Sequence, residues 1–323
     1  MDWNELKSAC AGRVLLDVPA GPFTSYHLGG NASAWVTPKD TDDLAACMSW
    51  LHAQGAGYLP IGGGSNLLLS DGGFDGAMVH LGREFQGVET EGRSLRVRAG
   101  TPLQVFLRRA TDAGLGGFEY CAGVPGLVCG AVAGNAGSRK DWIGSRVESL
   151  TVVTREGEVR RLRPGDVSFG YRHTTLQDMG WILTEVVLRG DPASPADIDA
   201  KAADYLRERK AKQPWAARSA GSVFRNPEGG AAGRLIEEAG LKGYRVGGAR
   251  VSEVHANFIV SDGGTASDVA AVMREAQRRV WEARGIRLMP EVLPAGDWDW
   301  PSVSDIWWHL EGPYGFKAET KNS

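Results

Sequence analysis

The chain is short of the residues that build metal and disulfide sites. Its 323 residues include only four cysteines and six histidines. Cys10, Cys47, Cys121 and Cys129 form no CxxC pair, and the histidines are scattered without an HExxH. Neither a zinc ligand set nor a disulfide framework can be read from such spacing. The expectation is therefore no metal and four reduced, mostly buried thiols. Excess basic charge is also missing: Lys and Arg total 36 against 39 Asp and Glu, a formal net charge of −3. That balance excludes a general nucleic-acid binder. No apolar run approaches membrane-spanning length, and no early stretch joins a basic start to an apolar run as a signal peptide does. These absences predict a cytoplasmic protein that engages neither membrane nor nucleic acid. The GxGxxG, GxxxxGK[ST] and GxSxG motifs are absent, which removes the Rossmann, P-loop and nucleophile-elbow readings. No internal repeat of fixed period is found.

Glycine, by contrast, is plentiful, with 44 residues. It concentrates in "LPIGGGSNLLLSDGGFDG" from Leu59 to Gly76 and in "CAGVPGLVCGAVAGNAG" from Cys121 to Gly137. A backbone without Cβ atoms can approach a ligand closely, and successive N–H groups can form a nest for phosphate. One such loop is a weak signal. Two, each flanked by strand-like segments, point to one extended phosphate-bearing ligand lying between them.

Periodicity places the elements. Leu44, Cys47, Met48 and Leu51 recur at helical spacing, as do Leu103, Phe106, Leu107 and Ala110. "VESLTVVTREGEVRRL" reads as a hairpin around Glu156-Gly157 and "WILTEVVLRG" as a buried strand. A charged helix starts at Ser194 and stops before Pro214. Further on, "GRLIEEAGLKG" predicts a short helix, "HANFIVSDGG" a strand, and the stretch after Ser267, its expected N-cap, a helix burying Val269, Val272, Met273, Ala276 and Val280. "IRLMPEV" reads as a closing strand. This is an α+β plan. Four of eleven tryptophans crowd into the last stretch, from Asp297 on. Such a tail either packs on its own domain or meets a partner.

Three polar residues sit in apolar surroundings. Arg172 in "GYRHTT" is either a surface ion pair or a fixed cation for a carboxylate or developing enolate. Ser222 in "SAGSVFRNP" is either a turn residue or a proton donor, with no histidine base beside it. Glu291 in "RLMPEVLP" is either edge-exposed or buried with a partner, and burial would raise its pKa.

Taken together, "TSYHLGGNASAWVTP", "LPIGGGSNLLLSDGGFDG", "GFEYCAGVPG", "GNAG", "SFGYRHT", "KQPWAARSAGSVFRNP", "GRLIEEAGLKGYRVGGARVSEVHANFIV" and "LMPEV" resemble, in order, the UDP-N-acetylenolpyruvoylglucosamine reductases. The resemblance spans residues 20 to 295. It implies an FAD-binding α+β fold of the vanillyl-alcohol-oxidase (PCMH-like) type, a two-subdomain module plus a smaller α/β substrate-binding domain. The corresponding segments are 1–80 and 81–190 for FAD, 191–296 for substrate, and 297–323 as a Trp-rich tail. It implies FAD held by Gly62, Gly63, Gly64, Ser65 and Asn66 at the pyrophosphate, and by Gly123, Val124, Pro125, Gly126, Asn135 and Ala136 from the second loop. NADPH would donate hydride, and the enolpyruvyl ether of UDP-N-acetylglucosamine would accept it, in peptidoglycan precursor synthesis. Arg172 and Glu291 match the charge-stabilising pair and Ser222 the proton donor. Lys212 and Asn226 fall where the nucleotide substrate is contacted, and a monomer is expected.

The chain departs from the pattern at Thr174 in place of serine, at Cys129-Gly130-Ala131 in place of Gly-Gly-Ala, and in "SRKDWIGS" after "GNAG". No extra tyrosine-bearing loop stands between Thr184 and Ser194, which favours the shorter substrate-domain variant. Rival readings are an FAD oxidase of the same fold and a UDP-sugar-binding paralogue without turnover.

Overall fold

A computed structural model describes residues 1–137, 141–312 and 314–315. A four-stranded sheet opens the chain, in the order Arg13–Pro19, Asn31–Thr37, Phe74–His80 and Tyr58–Ile61. Its first pair is antiparallel and the others parallel. The parallel return needs a crossover, which the helix Thr41–Ala53 supplies, capped by Asp40 on the Asp43 N–H. Leu44, Cys47, Met48 and Leu51 of that helix are all buried.

The second sheet is antiparallel throughout, in the order Val159–Leu162, Val147–Val153, Ile182–Arg189, Ser94–Arg98 and Val88–Glu91. Its hairpin turns at Gly157, whose φ of +87° suits a residue without Cβ. One continuous hydrophobic core runs from Leu6 to Leu188 beneath both sheets.

Helix Pro195–Lys212, capped by Ser194, leads to a smaller region. There the sheet Arg245–Val246, Ala249–Val251 and Ile259–Ser261 packs under helix Ala266–Arg284. Val269, Val272, Met273, Ala276 and Val280 of this helix are buried as expected. Its N-cap is Thr265, in a capping box with Asp268, and not Ser267. Ser267 is instead a partner of Asp71, whose carboxylate accepts from the Ala266 N–H at 2.8 Å, the Ser267 N–H at 2.9 Å and the Ser267 hydroxyl at 2.7 Å.

Two expectations are corrected. "IRLMPEV" is not the closing strand; the strand is Leu293–Ala295, parallel to Leu67–Leu69. Upstream of it the backbone is used differently: Arg225 N–H donates to Met289 O at 2.8 Å and Glu291 N–H to Val223 O at 2.7 Å. Proline at 290 has no N–H to extend a ladder. Nor are all four cysteines free thiols. Cys10 and Cys47 are joined, their Cα atoms 5.2 Å apart, where the first helix docks on the second, while Cys121 and Cys129 are free. A separation of 37 residues carries no sequence signal for such a pair.

The tryptophan-rich tail packs on the chain's own smaller region. Trp307 is fully buried in that core, and its indole N–H donates to Val292 O at 2.9 Å. Among the described residues, no helix is long and apolar enough to cross a membrane.

Candidate active site

The loop between strands Tyr58–Ile61 and Leu67–Leu69 and the loop before helix Val128–Ala133 meet face to face. An ideal Cβ on Gly63 would stand 2.7 Å from the Gly126 Cα. Gly64 has φ +60°, and a Cβ there would come 2.2 Å from Phe23 O. These glycines are thus demanded first by backbone meeting backbone within the protein, ahead of any ligand. Gly130 and Gly221 are the opposite case. Both line the cleft, and a Cβ on either would meet no protein atom within 4 Å.

The cleft so formed encloses about 370 Å³. Gly62, Gly63, Gly64, Ser65 and Asn66 line one side and Gly123, Val124, Pro125, Gly126 and Ala136 another. Arg172, Ser222 and Glu291 line it too, so the three polar residues singled out from the sequence lie together with the glycine loops. Charged side chains on its wall are Arg172, Arg209 and Glu291, a cationic balance that suits a pyrophosphate. Open space beside glycine, backbone-rich walls and two guanidinium groups fit an FAD-sized dinucleotide.

Arg172 sits at φ +57°. Its Nε lies 3.0 Å from Glu291 Oε1, and its Nη1 donates to Gly137 O at 3.2 Å. Burial pushes the Glu291 carboxyl above its ordinary value, with Arg172 and Arg225 pulling against it. The acid is therefore the partly buried, partnered case, and the arginine its ion pair inside a cleft. Ser222 reaches this place because its neighbours are zipped down. Val223 O accepts from the Glu291 N–H, and the buried Asn257 donates its amide to Phe224 O at 2.8 Å and accepts from Phe224 N–H at 3.0 Å. Asn257 was missed from sequence, although a lone amide in the apolar run "HANFIV" is a signal, since buried amides must find partners.

Two assignments come out differently. Asn135 is buried, and its side chain is committed to Gly170 O at 2.7 Å and to Gly144 N–H at 3.0 Å. It lines a neighbouring cleft and not the first. A buried amide bonded to two main-chain groups holds the Arg172 loop in place. Asn66 lines the first cleft, but its amide donates to Glu291 O at 3.1 Å.

The neighbouring cleft, about 720 Å³, shares Gly137, Arg172, Arg209 and Gln213 with the first. Lys212 and Asn226 both line it. Lys212 pairs with Glu208 at 2.7 Å, and Asn226 accepts from the Ala232 N–H at 3.0 Å. Arg209 was also missed: in "LRERKAKQ" nothing separates it from its solvated neighbours. Its Nη2 donates to Tyr120 O at 3.1 Å, and burial draws it below the ordinary arginine value. Residues 138–140 of the divergent "SRKDWIGS" lie outside the described residues. No cluster of three His, Cys, Asp or Glu is placed to hold a metal among the described residues.

Comparison with known proteins gives this arrangement a family. Residues 32–163 match the family described as FAD binding domain, and residues 213–294 match the UDP-N-acetylenolpyruvoylglucosamine reductase C-terminal domain. A UDP-N-acetylenolpyruvoylglucosamine reductase of Geobacter metallireducens is 42% identical over 91% of this chain and 98% of its own. One from Synechococcus sp. (strain JA-3-3Ab) is 39% identical over 91% and 95%. The solved reductase of Thermus caldophilus superimposes with a TM-score of 0.74 at 36% identity, covering 88% of this chain and 98% of that one. The cleft, its glycine loops and these likenesses agree: the chain belongs to the UDP-N-acetylenolpyruvoylglucosamine reductase family, the FAD-containing oxidoreductases.

Proposed function

We propose that this protein reduces the enolpyruvyl ether of UDP-N-acetylglucosamine to UDP-N-acetylmuramate, with NADPH as the source of hydride, in peptidoglycan precursor synthesis. The observation that carries the reading is the Arg172–Glu291 ion pair, beside Ser222, in the cleft built by the two glycine loops. In this reading residues 1–80 and 81–190 bind FAD and 191–296 bind substrate. FAD, when bound, would supply the hydride that reaches the methylene carbon of the enol ether. Gly62 to Asn66, Gly123 to Gly126 and Ala136 line the space that would hold it.

Hydride addition leaves an electron pair on the carbon that bears the carboxylate. Arg172 is held by Glu291 and Gly137 O, so its charge is fixed before that pair develops and needs no reorganisation. Glu291, its pKa raised by burial, has a neutral form that can donate a hydrogen bond into the same site. Ser222 gives its hydroxyl proton to the carbon and completes the reduction. Lys212 and Asn226 bind the nucleotide part of the substrate in the adjoining cleft.

Anaerobic stopped-flow spectroscopy tests the reading. NADPH should bleach the flavin, and the enol ether should restore its colour much faster than oxygen does. Faster reoxidation by oxygen would make the protein an oxidase, and a chain that takes up no flavin would make it a binding paralogue.

A further inference from the structure

The first cleft has a wall that the family match does not contain. Tyr314 lines it together with Gly62, Cys129 and Leu183, yet the matched reductase domain ends at residue 294. The chain reaches this point by a fastened route. Asp297 N–H donates to Gly73 O at 2.8 Å, and the Ser70 hydroxyl donates to Asp297 O at 2.7 Å. Arg274 forks onto Asp305 at 2.6 and 3.0 Å. Gln277, itself buried, donates to both Leu288 O and Ile306 O at 2.9 Å. Trp307 is sealed in the core. The tail then turns back, and Tyr314 forms a parallel bridge with Ala295, donating its N–H to Pro294 O. Its side chain packs on the core of the first sheet that holds Leu59, Ile61 and Phe74.

We propose that the tail from Trp298 to Tyr314 is a built part of the cofactor site, with the Tyr314 ring forming a wall against one of the planar rings of the bound dinucleotide. This rests on the FAD reading above. Three observations converge on it. The ring stands in the same cleft as the glycine loops. It is bridged to Ala295, on the strand that returns from Glu291 to the glycine loop. Burial raises the pKa of its hydroxyl, with the charges of Asp178 and Cys129 adding to the rise. An aromatic side chain loses little conformational freedom on packing against a flat heterocycle and contributes a large contact area.

The experiment compares FAD dissociation constants, read from free-flavin fluorescence on dilution of the holoprotein. The chains are wild type, Tyr314→Ala, Tyr314→Phe and a form ending at Gly312. Loss of a stacking aromatic should weaken FAD by about tenfold or more in Tyr314→Ala and in the shortened chain. Tyr314→Phe keeps the ring and should stay near wild type. Because the ring also packs on the core of the first sheet, Tyr314→Ala stripped of flavin should melt below stripped wild type, and the FAD comparison is made at a temperature where both are folded. Wild type that binds no FAD sinks the parent reading. Wild type that binds it while Tyr314→Ala binds equally well overturns this proposal alone. Tighter binding by Tyr314→Ala also overturns it, because the ring would then be competing for the cofactor's space.

Discussion

Arg172 Nε stands 3.0 Å from Glu291 Oε1, and the two are brought together by a positive-φ turn on one side and a proline-broken strand on the other. Glu291→Gln keeps the shape and removes the titration. The reoxidation of reduced flavin by the enol ether should slow by about 10²–10⁴-fold while reduction by NADPH is unchanged. Equal losses in the two halves would show that the acid only holds the fold. Stability should respond as well. The folded pKa is raised, so the native state holds the proton longer than the unfolded chain. That contribution is full below the ordinary glutamate value and is lost as pH rises through the raised one. Glu291→Gln should flatten this loss in thermal unfolding measured across the range.

Ser222→Ala removes a hydroxyl from a loop whose backbone is fixed by Asn257. The same selective slowing of the second half-reaction is expected, about 10²-fold or more. In deuterated solvent the remaining turnover should lose its dependence on the serine proton. Unchanged turnover would return Ser222 to the role of turn residue.

Gly63→Ala tests the meeting of the two loops. The new methyl would be driven 2.7 Å from the Gly126 Cα, a contact that backbone must relieve by moving. Purified Gly63→Ala should retain less flavin, weakened by about tenfold or more, since close packing transmits such a shift. Flavin content at the wild-type level would mean that the loops part without consequence.

His309 titrates in the other direction from Glu291. Burial, with the charge of Arg225 adding to it, lowers its pKa to about 4. Below the ordinary histidine value of 6.5 the unfolded chain takes up the proton first, so stability falls as pH drops from there toward about 4. His309→Gln should remove that slope. Because the two groups respond to pH in opposite directions, unfolding curves of the single variants separate them.

Asp71→Ala strips three hydrogen bonds from the start of helix Ala266–Arg284. Thr265 still caps the helix, so a cost of about 1 kcal/mol is expected in denaturant unfolding. A change indistinguishable from zero would show that Thr265 alone suffices.

Local pattern made much of this fold legible. Helical spacing located the buried faces at Leu44 to Leu51 and Val269 to Val280, because an amphipathic stripe must find a core. The ordered motifs led to Arg172, Ser222 and Glu291 before any contact was visible. What escaped were relations made by distant segments. Thr265 displaced Ser267 as a cap because Asp71 had already claimed the serine. The bonds of Asn135 to Gly170 O and Gly144 N–H join segments that no local pattern links. Cys10 and Cys47 pair through the docking of two helices, which no spacing encodes. Tyr314 enters the cleft only because the tail doubles back.

Asn66 and Leu293 couple the acid to the first glycine loop. The amide of Asn66 holds Glu291 O, and the Leu293 N–H holds Asn66 O at 3.1 Å, immediately before Leu293–Ala295 zips onto Leu67–Leu69. The acid and the first glycine loop are thus tied into one piece, so a displacement of either carries the other with it.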